Sequence, residues 1–212
     1  MQIDPETRSI GEVYSLMTHA IVLRPIAWVS TISHDGNLNL APFSYFNGVC
    51  SKPAALSFSS VNRADGSKKD TVVNIEATRH FVVNAVSYTQ AVKMHQTSAE
   101  FSADVSEFEE VGLTPVPSMR ISPPRVAESP IQFECELLQI VPIGHGPFAA
   151  NLVIGKIVLI HLAEDVLDSS GKIQPDRFGA IGRMGGLQYC KTDNRFDLPK
   201  VITPPMTKPQ NL

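Results

Sequence analysis

Ile131-Gln132-Phe133-Glu134-Cys135-Glu136-Leu137 alternates apolar and polar residues without a break. A period of two sends Ile131, Phe133, Cys135 and Leu137 to one face of an extended chain and the polar side chains to the other, the pattern of a half-buried antiparallel strand. On that face Cys135 reads as a packing residue rather than a reactive thiol. Downstream, a turn containing Gly144-His145-Gly146-Pro147 leads into a long β-branched run from Asn151 to Leu162. Upstream, His80 to Ser87, Ala54 to Val61 and Ile26 to Ser33 read as further strands, rich in Val, Ile, Thr and aromatic residues.

The strands are close together and joined by turn chemistry. His34-Asp35-Gly36-Asn37 closes a hairpin, because the Asp-Gly pair accepts the positive φ such a turn requires. The return strand runs from Leu38 to Ala41, where Pro42, with no N–H to donate, is expected to end regular pairing. Short helices are expected at Ser9 to Met17, Tyr88 to Thr97, behind a capping box at Ser106-Glu107-Phe108-Glu109, and at Asp176 to Ile181. The proline-rich span Leu113 to Pro130 predicts an extended excursion over the surface or over a partner subunit. The proline-rich tail at 200–212 predicts a poorly ordered or draped end. The reading is mainly β: a closed antiparallel Greek-key barrel with peripheral short helices. A doubly wound sheet is disfavoured, since no Gly-x-Gly-x-x-Gly follows a strand.

The chain of 212 residues shows no internal repeat or dividing linker, so one domain over 1–212 is expected. Its net charge of −3, with 43% hydrophobic and 18% charged residues, gives no general attraction to nucleic acid or membrane. The three cysteines, Cys50, Cys135 and Cys190, are far apart and unpaired in sequence, which indicates neither a disulfide framework nor a zinc ribbon and suits a reducing cytoplasm. The N-terminus has no secretory pattern, and no apolar run reaches the ~18 residues of a membrane span. His19 and His161 fit no ligand spacing, so no metal is assigned.

Against that neutral background one stretch is locally cationic. Arg63-Ala64-Asp65-Gly66-Ser67-Lys68-Lys69-Asp70-Thr71 leads into Val72-Val73-Asn74, with Ser67 and Asp70 spaced as a capping-box variant. Two lysines in the first turn of a helix oppose its dipole unless an anion binds there, where free N–H groups, both ammonium groups and the Thr71 hydroxyl converge. This reads as a phosphate site or as a solvated polar turn. Pro42-Phe43-Ser44-Tyr45-Phe46-Asn47-Gly48 interleaves aromatic rings with hydrogen-bonding side chains, which fits either a wall for a planar heteroaromatic ligand or a core strand whose rings alternate faces. Gly185-Gly186 beside Arg183 permits close backbone approach to a ligand.

Taken together, Arg24-Pro25-Ile26-Ala27-Trp28-Val29-Ser30-Thr31, Asn39-Leu40-Ala41-Pro42-Phe43-Ser44-Tyr45-Phe46-Asn47, Arg63 through Thr71, Phe81-Val82-Val83-Asn84 and Arg183-Met184-Gly185-Gly186 resemble the flavin reductase-like, FMN-binding split-barrel family that includes flavoredoxin. The resemblance spans roughly 20–190 in one order. It implies a homodimer of six-stranded split barrels with FMN in a cleft near the subunit interface. Ser30, Thr31, Lys69 and Thr71 would hold the phosphate, with Arg63 and Asp70 beside it. Ser44, Phe46 and Asn47 would line the isoalloxazine, and Ser57 to Ser59 would form its adjoining edge. The family often has Leu or Phe where this chain has Trp28, which leaves that ring either in the core or beside the flavin. Arg183 and His145 are the candidate substrate contacts, with a solvated loop the alternative for His145 and the interface for Arg183.

The implied activity is an oxidoreductase that passes reducing equivalents from NAD(P)H through bound FMN to flavin or another acceptor. The alternative is a flavoredoxin-like carrier that takes electrons from a donor protein. No catalytic acid, base or nucleophile is assigned, because the flavin accepts hydride on its own N5 and the protein binds, orients and tunes it.

Overall fold

The computed structural model of the protein describes residues 1–201, so the tail predicted at 200–212 lies, beyond residue 201, outside the described residues. Helix α1 (Ile10–Ala20) opens with a formed capping box between Ser9 and Glu12. Strands β1 (Ala27–Ile32), β2 (Leu38–Phe43), β3 (Phe46–Ser51) and β4 (Ala54–Val61) follow, then helix α2 (Asp70–Thr78) and β5 (His80–Ala85). After short helices α3 (Ala91–Gln96) and α4 (Glu107–Glu110) come a small ribbon, β6 (Pro115–Val116) with β7 (Arg125–Val126), and the long pair β8 (Ile131–Ile143) and β9 (Ala150–Leu162). A one-turn helix α5 (Pro175–Phe178) and a second ribbon, β10 (Ile181–Arg183) with β11 (Tyr189–Lys191), complete the described chain. Among the described residues no helix is long and apolar enough to cross a membrane.

The main sheet is antiparallel, in the order β2-β1-β5-β8-β9-β4-β3. Its two edge strands, β2 and β3, are separated in sequence only by Ser44 and Tyr45. At 3.8 Å per Cα step, that link spans at most ~11 Å, so the sheet must curl until its edges meet. Ser59 N donates to Tyr45 O at 2.9 Å, stitching the bend to β4. The result is a barrel closed by a continuous bent strand rather than by a ladder, a split barrel. With β2 and β3 counted as one bent strand there are the six expected; counted separately there are seven. Strand β5 returns through α2 to lie beside β1, which makes the Greek key.

Pro42 does not end pairing as expected: it sits opposite Trp28, and β2 continues to Phe43. An edge strand tolerates proline because one side of its backbone has no ladder to complete. Likewise α4 forms where expected but Ser106 does not cap it, and its buried hydroxyl has no partner.

Inside the barrel Val29, Leu56, Phe58, Ile75, Phe81, Val83, Cys135 and Val153 form the main core. Space for the Phe81 ring exists because residue 155 is glycine: a Cβ there would lie 2.3 Å from the ring. A second apolar layer, with Trp28, Leu40, Met94, Phe108 and Val126, covers the outside of β1 and β2 beneath α3, α4 and the β6–β7 ribbon. Trp28 belongs to this layer, fully buried, and its Nε1 donates to Thr97 Oγ1 at 2.9 Å.

The alternation read in β8 puts Ile131, Cys135 and Leu137 in the core, with Phe133 partly buried against it and a bulge between Glu134 and Cys135. Its polar side chains are not all exposed, because the proline-rich span lies back over this sheet. Glu134, 0% exposed, accepts from the backbone N–H groups of Met119 at 2.7 Å and Arg120 at 2.8 Å and is bonded to His161 Nε2 at 2.6 Å. Burial by itself would raise its pKa, but those two N–H donors and the imidazole together hold it below the ordinary carboxylate value. Cys135 is shielded from reaction for the opposite reason: burial, seconded by the Glu134 charge, pushes its thiol far up.

Candidate functional site

The bend at Ser44–Tyr45 that closes the barrel also opens its main cleft, of ≈ 610 Å³. One wall is α1, through Ile10, Gly11, Tyr14 and Thr18. The floor is the run Pro42, Phe43, Ser44 and Tyr45, and the far side is Ser59 and Val61 of β4 with Lys69. Phe148, from the turn between β8 and β9, closes the rim with its backbone at φ +61°. Alternation along β4 explains the chemistry of that side: Phe58 and Ser60 point into the barrel, so Ser57, Ser59 and Val61 face outward. Burial pushes the Tyr45 phenol up, Tyr14 adds to the rise, and Arg24 opposes it.

Lys69 links this cleft to a smaller polar cavity of ≈ 70 Å³ that also meets Asn39, Arg63, Asp70 and Glu107. The approach to α2 differs from the reading of the sequence. Ser67 turns back to Asp65, donating from both N–H (2.8 Å) and Oγ (2.6 Å) to its carboxylate, so the Ser67–Asp70 box does not form. A carboxylate two residues away outcompetes the helix terminus for that hydroxyl. Lys69 is itself the N-cap, without a side-chain cap bond, and the first-turn charge is the favourable Asp70 rather than two lysines. Lys68 is paired with Glu76 and Arg63 with Asp70, whereas Lys69 enters no ion pair among the described residues. Glu107 lies across the small cavity, 7% exposed, with its Oε2 accepting from Leu40 N at 2.9 Å. Burial raises its pKa most, the Leu40 N–H lowers it, and nearby Asp70 raises it further, leaving it above the ordinary value.

Of the residues singled out from sequence, Ser44, Ser59 and Lys69 line the cleft, and Arg63 and Asp70 line the cavity beside it. Asn47 and Ser57 pair with each other on the outward face, one step along from Ser59. Phe46 pairs with Phe58 and packs against the barrel core. Ser30, Thr31 and Thr71 are at most 1% exposed. Ser30 donates to Pro124 O at 2.6 Å and accepts from Asn84 at 3.1 Å. Thr31 accepts from Asn39 (3.2 Å) and Asn74 (3.1 Å), and Thr71 accepts from Asn39 (3.0 Å). The two threonine hydroxyls tie β1, β2 and α2 together from behind, and so fix the helix start that carries Lys69, while Ser30 ties β1 to β5 and to the proline-rich span. Arg183 stands 4.5 Å over the Tyr189 ring, bonded to its hydroxyl and to Gly186 O, and does not line the cleft; His145 is exposed on its turn.

The α1 wall and Phe148 escaped sequence reasoning. The Ser9–Glu12 box signals a helix but not where it docks, and Phe148 follows a glycine turn that gives no sign of its aim. Among the described residues no group of three or more His, Cys, Asp or Glu side chains is placed to hold a metal ion.

Residues 19–182 match the model of the flavin reductase like domain family. A relative from Aquifex aeolicus, an uncharacterized protein, is 42% identical over 179 residues, covering 84% of this chain and 89% of that one. Among solved structures, component B of nitrilotriacetate monooxygenase from Bacillus cereus superposes with a TM-score of 0.89 at 34% identity, covering 93% of this chain and 98% of that one. The 2-nitrobenzoate 2-nitroreductase of Pseudomonas fluorescens does so with a TM-score of 0.86 at 31% identity, over 97% and 98% of the two chains.

Proposed function

The chain belongs to the flavin reductase-like domain family, whose members point to flavin-linked oxidoreductase chemistry, and from that premise we propose that it binds FMN and passes reducing equivalents from NAD(P)H through it to flavin or another acceptor. One observation carries the reading: Lys69, without an ion-pair partner among the described residues, stands at the start of α2 where an aromatic-walled cleft meets a polar cavity. A cleft of ≈ 610 Å³ is of the size that takes a cofactor. Tyr14, Phe43, Tyr45 and Phe148 offer flat apolar surface, Ser44 and Ser59 offer hydroxyls, and Lys69 with the helix N-terminus offers the positive end an anion needs.

These residues would bind and orient the group, and they would exclude water from one side of it. The flavin, when bound, supplies the hydride-accepting chemistry. Among the described residues that line the cleft there is no acid–base pair beside a nucleophile, and the part proposed for the protein is affinity, orientation and the electrostatics of the wall.

A homodimer belongs to the same proposal. The outward face of β4, β9 and β8 aligns Ser57 with Ile154 and Gln139, Ser59 with Leu152 and Val141, and Val61 with Ala150 and Ile143, a largely apolar surface beside the cleft. A second copy would cover it and complete the cleft's open side.

The carrier reading draws on the position of Arg183, which is engaged by Tyr189 and Gly186 rather than offered to a second phosphorylated ligand in the cleft. Two measurements separate the possibilities. Calorimetric titration is expected to show FMN binding at micromolar affinity or better, equivalent to at least about 8 kcal/mol. Anaerobic mixing with NADH or NADPH is expected to bleach the flavin band. Absence of FMN binding up to millimolar concentration overturns the FMN reading, and bleaching by dithionite but by neither nucleotide replaces the reductase with the carrier.

A further inference from the structure

Arg24 is a buried cation without a counter-anion. It is 4% exposed, and among the described residues no carboxylate lies within 4.0 Å of its guanidinium. Its Nη1 donates to Thr18 O (2.6 Å) and Ile21 O (2.7 Å) at the end of α1, and its Nη2 to Met184 O at 2.9 Å. Its Nε donates to Ser44 Oγ at 3.4 Å, and its charged carbon stands 5.9 Å from the centre of the Tyr45 ring. Arginine does not escape such a position by losing its proton, so the full charge stays. Carbonyl dipoles compensate it in part, and an unpaired buried charge is otherwise costly.

The placement has a direction. Of the residues that Arg24 holds or stands against, Thr18, Ser44 and Tyr45 line the cleft while Ile21 and Met184 do not, so the charge lies behind the part of the wall that Ser44 and Tyr45 form. Because Ser44 Oγ accepts from Arg24, the hydroxyl's own hydrogen is free to point away from it, into the cleft, as a donor. We infer that Arg24 is a positioning residue that makes the Ser44–Tyr45 wall electropositive, and thereby favours the reduced over the oxidised form of a flavin bound against it. The inference rests on the flavin reading of the cleft. A flavin that takes up two electrons and one proton gains one negative charge, and a fixed cation at low dielectric stabilises that form while acting weakly on the neutral ring.

The test measures the midpoint potential of bound FMN by equilibration with a dye of known potential, with dithionite as reductant, alongside the affinity for oxidised FMN. Variants are Arg24→Met, Arg24→Lys and Ser44→Ala. Arg24→Met is expected to shift the reduced-to-oxidised equilibrium by about tenfold toward the oxidised form, about 30 mV for a two-electron couple, with affinity for oxidised FMN changed much less. Arg24→Lys, which keeps the charge, is expected to stay within about threefold of wild type, and Ser44→Ala to shift by about threefold in the same direction as Arg24→Met. Equal shifts in the Met and Lys variants mean a merely structural role and overturn the inference, as does an unchanged potential in Arg24→Met. Should Arg24→Met fail to fold, the Ser44→Ala potential decides: a shift supports the inference and no shift overturns it. Failure of the wild-type protein to bind any flavin is distinct from these outcomes, because it overturns the flavin reading and this inference together.

Discussion

Strand β1 is buried on both faces, with Ala27 and Val29 turned into the barrel and Trp28 and Ser30 beneath a second apolar layer. Strand β4, across the same barrel, buries Leu56, Phe58 and Ser60 but leaves Ser57, Ser59 and Val61 outward at the cleft side. The two strands have similar compositions of small polar and apolar residues. What separates them is cover: α3, α4 and the proline-rich span lie over β1, while the described residues leave much of the outer face of β4 and β9 half-exposed. On the covered side the hydroxyls of Ser30, Thr31 and Thr97 are spent on internal hydrogen bonds, with the Ser106 hydroxyl an exception, whereas Ser57 and Ser59 on the open side remain available to a ligand or a second subunit. The covered half should therefore govern stability and the open half binding.

The sharpest break of this contrast is Trp28→Ala. It empties a fully buried site and leaves Thr97 Oγ1 without its indole donor, so a loss of about 3–5 kcal/mol is expected in urea unfolding. Flavin affinity of the protein that remains folded should change little, and a large affinity loss would erase the division between the two halves. Lys69→Ala tests the other side. It is expected to leave stability nearly unchanged while weakening FMN by about 1.5–3 kcal/mol and riboflavin much less, read by paired titrations. Equal losses for the two ligands place Lys69 away from the phosphate.

Gly155→Ala probes the barrel interior that both halves share. The added methyl meets the Phe81 ring, and about 1–3 kcal/mol of destabilisation by overpacking is expected in the same unfolding assay. The smallest effect is expected at Glu107, which stands on the border of the two regions. Its pKa is raised in the folded protein, so the native state holds a proton to higher pH than the unfolded chain does. Stability is then fully present below the unfolded pKa and falls as pH rises through the folded one. Glu107→Gln keeps an acceptor for Leu40 N and removes the charge, so it should raise Tm near pH 7 and do so less near pH 4. A stabilisation that is independent of pH would assign the effect to packing.

Much of the scaffold was legible in the chain. Strand β4 begins and ends where its alternation does, and Asp35-Gly36 makes the β1–β2 turn with Gly36 at φ +91°. The helix starts were less so: Ser67 and Ser106 both carry an acid three residues on, yet neither caps its helix, since local competitors or burial decide where a hydroxyl turns. The candidate site divided in the same way. Lys69, Ser44 and Ser59 reached the cleft, while Ser30, Thr31 and Thr71, of equally suitable chemistry, became buried struts.

Periodicity and turn chemistry, being local, fixed what each segment would be: which residues alternate, where glycine frees the backbone, and that the strands would make an antiparallel barrel, while the family showed only in the resemblance of several motifs taken together. Which face of a strand stays open is not local. It depends on segments far away in sequence, such as the span around Pro124 that accepts from Ser30, and the Met184 carbonyl that helps hold Arg24. Only the folded chain brings those groups into contact, and so only tertiary structure decided which hydroxyls and charges were consumed as structure and which were left to meet a ligand.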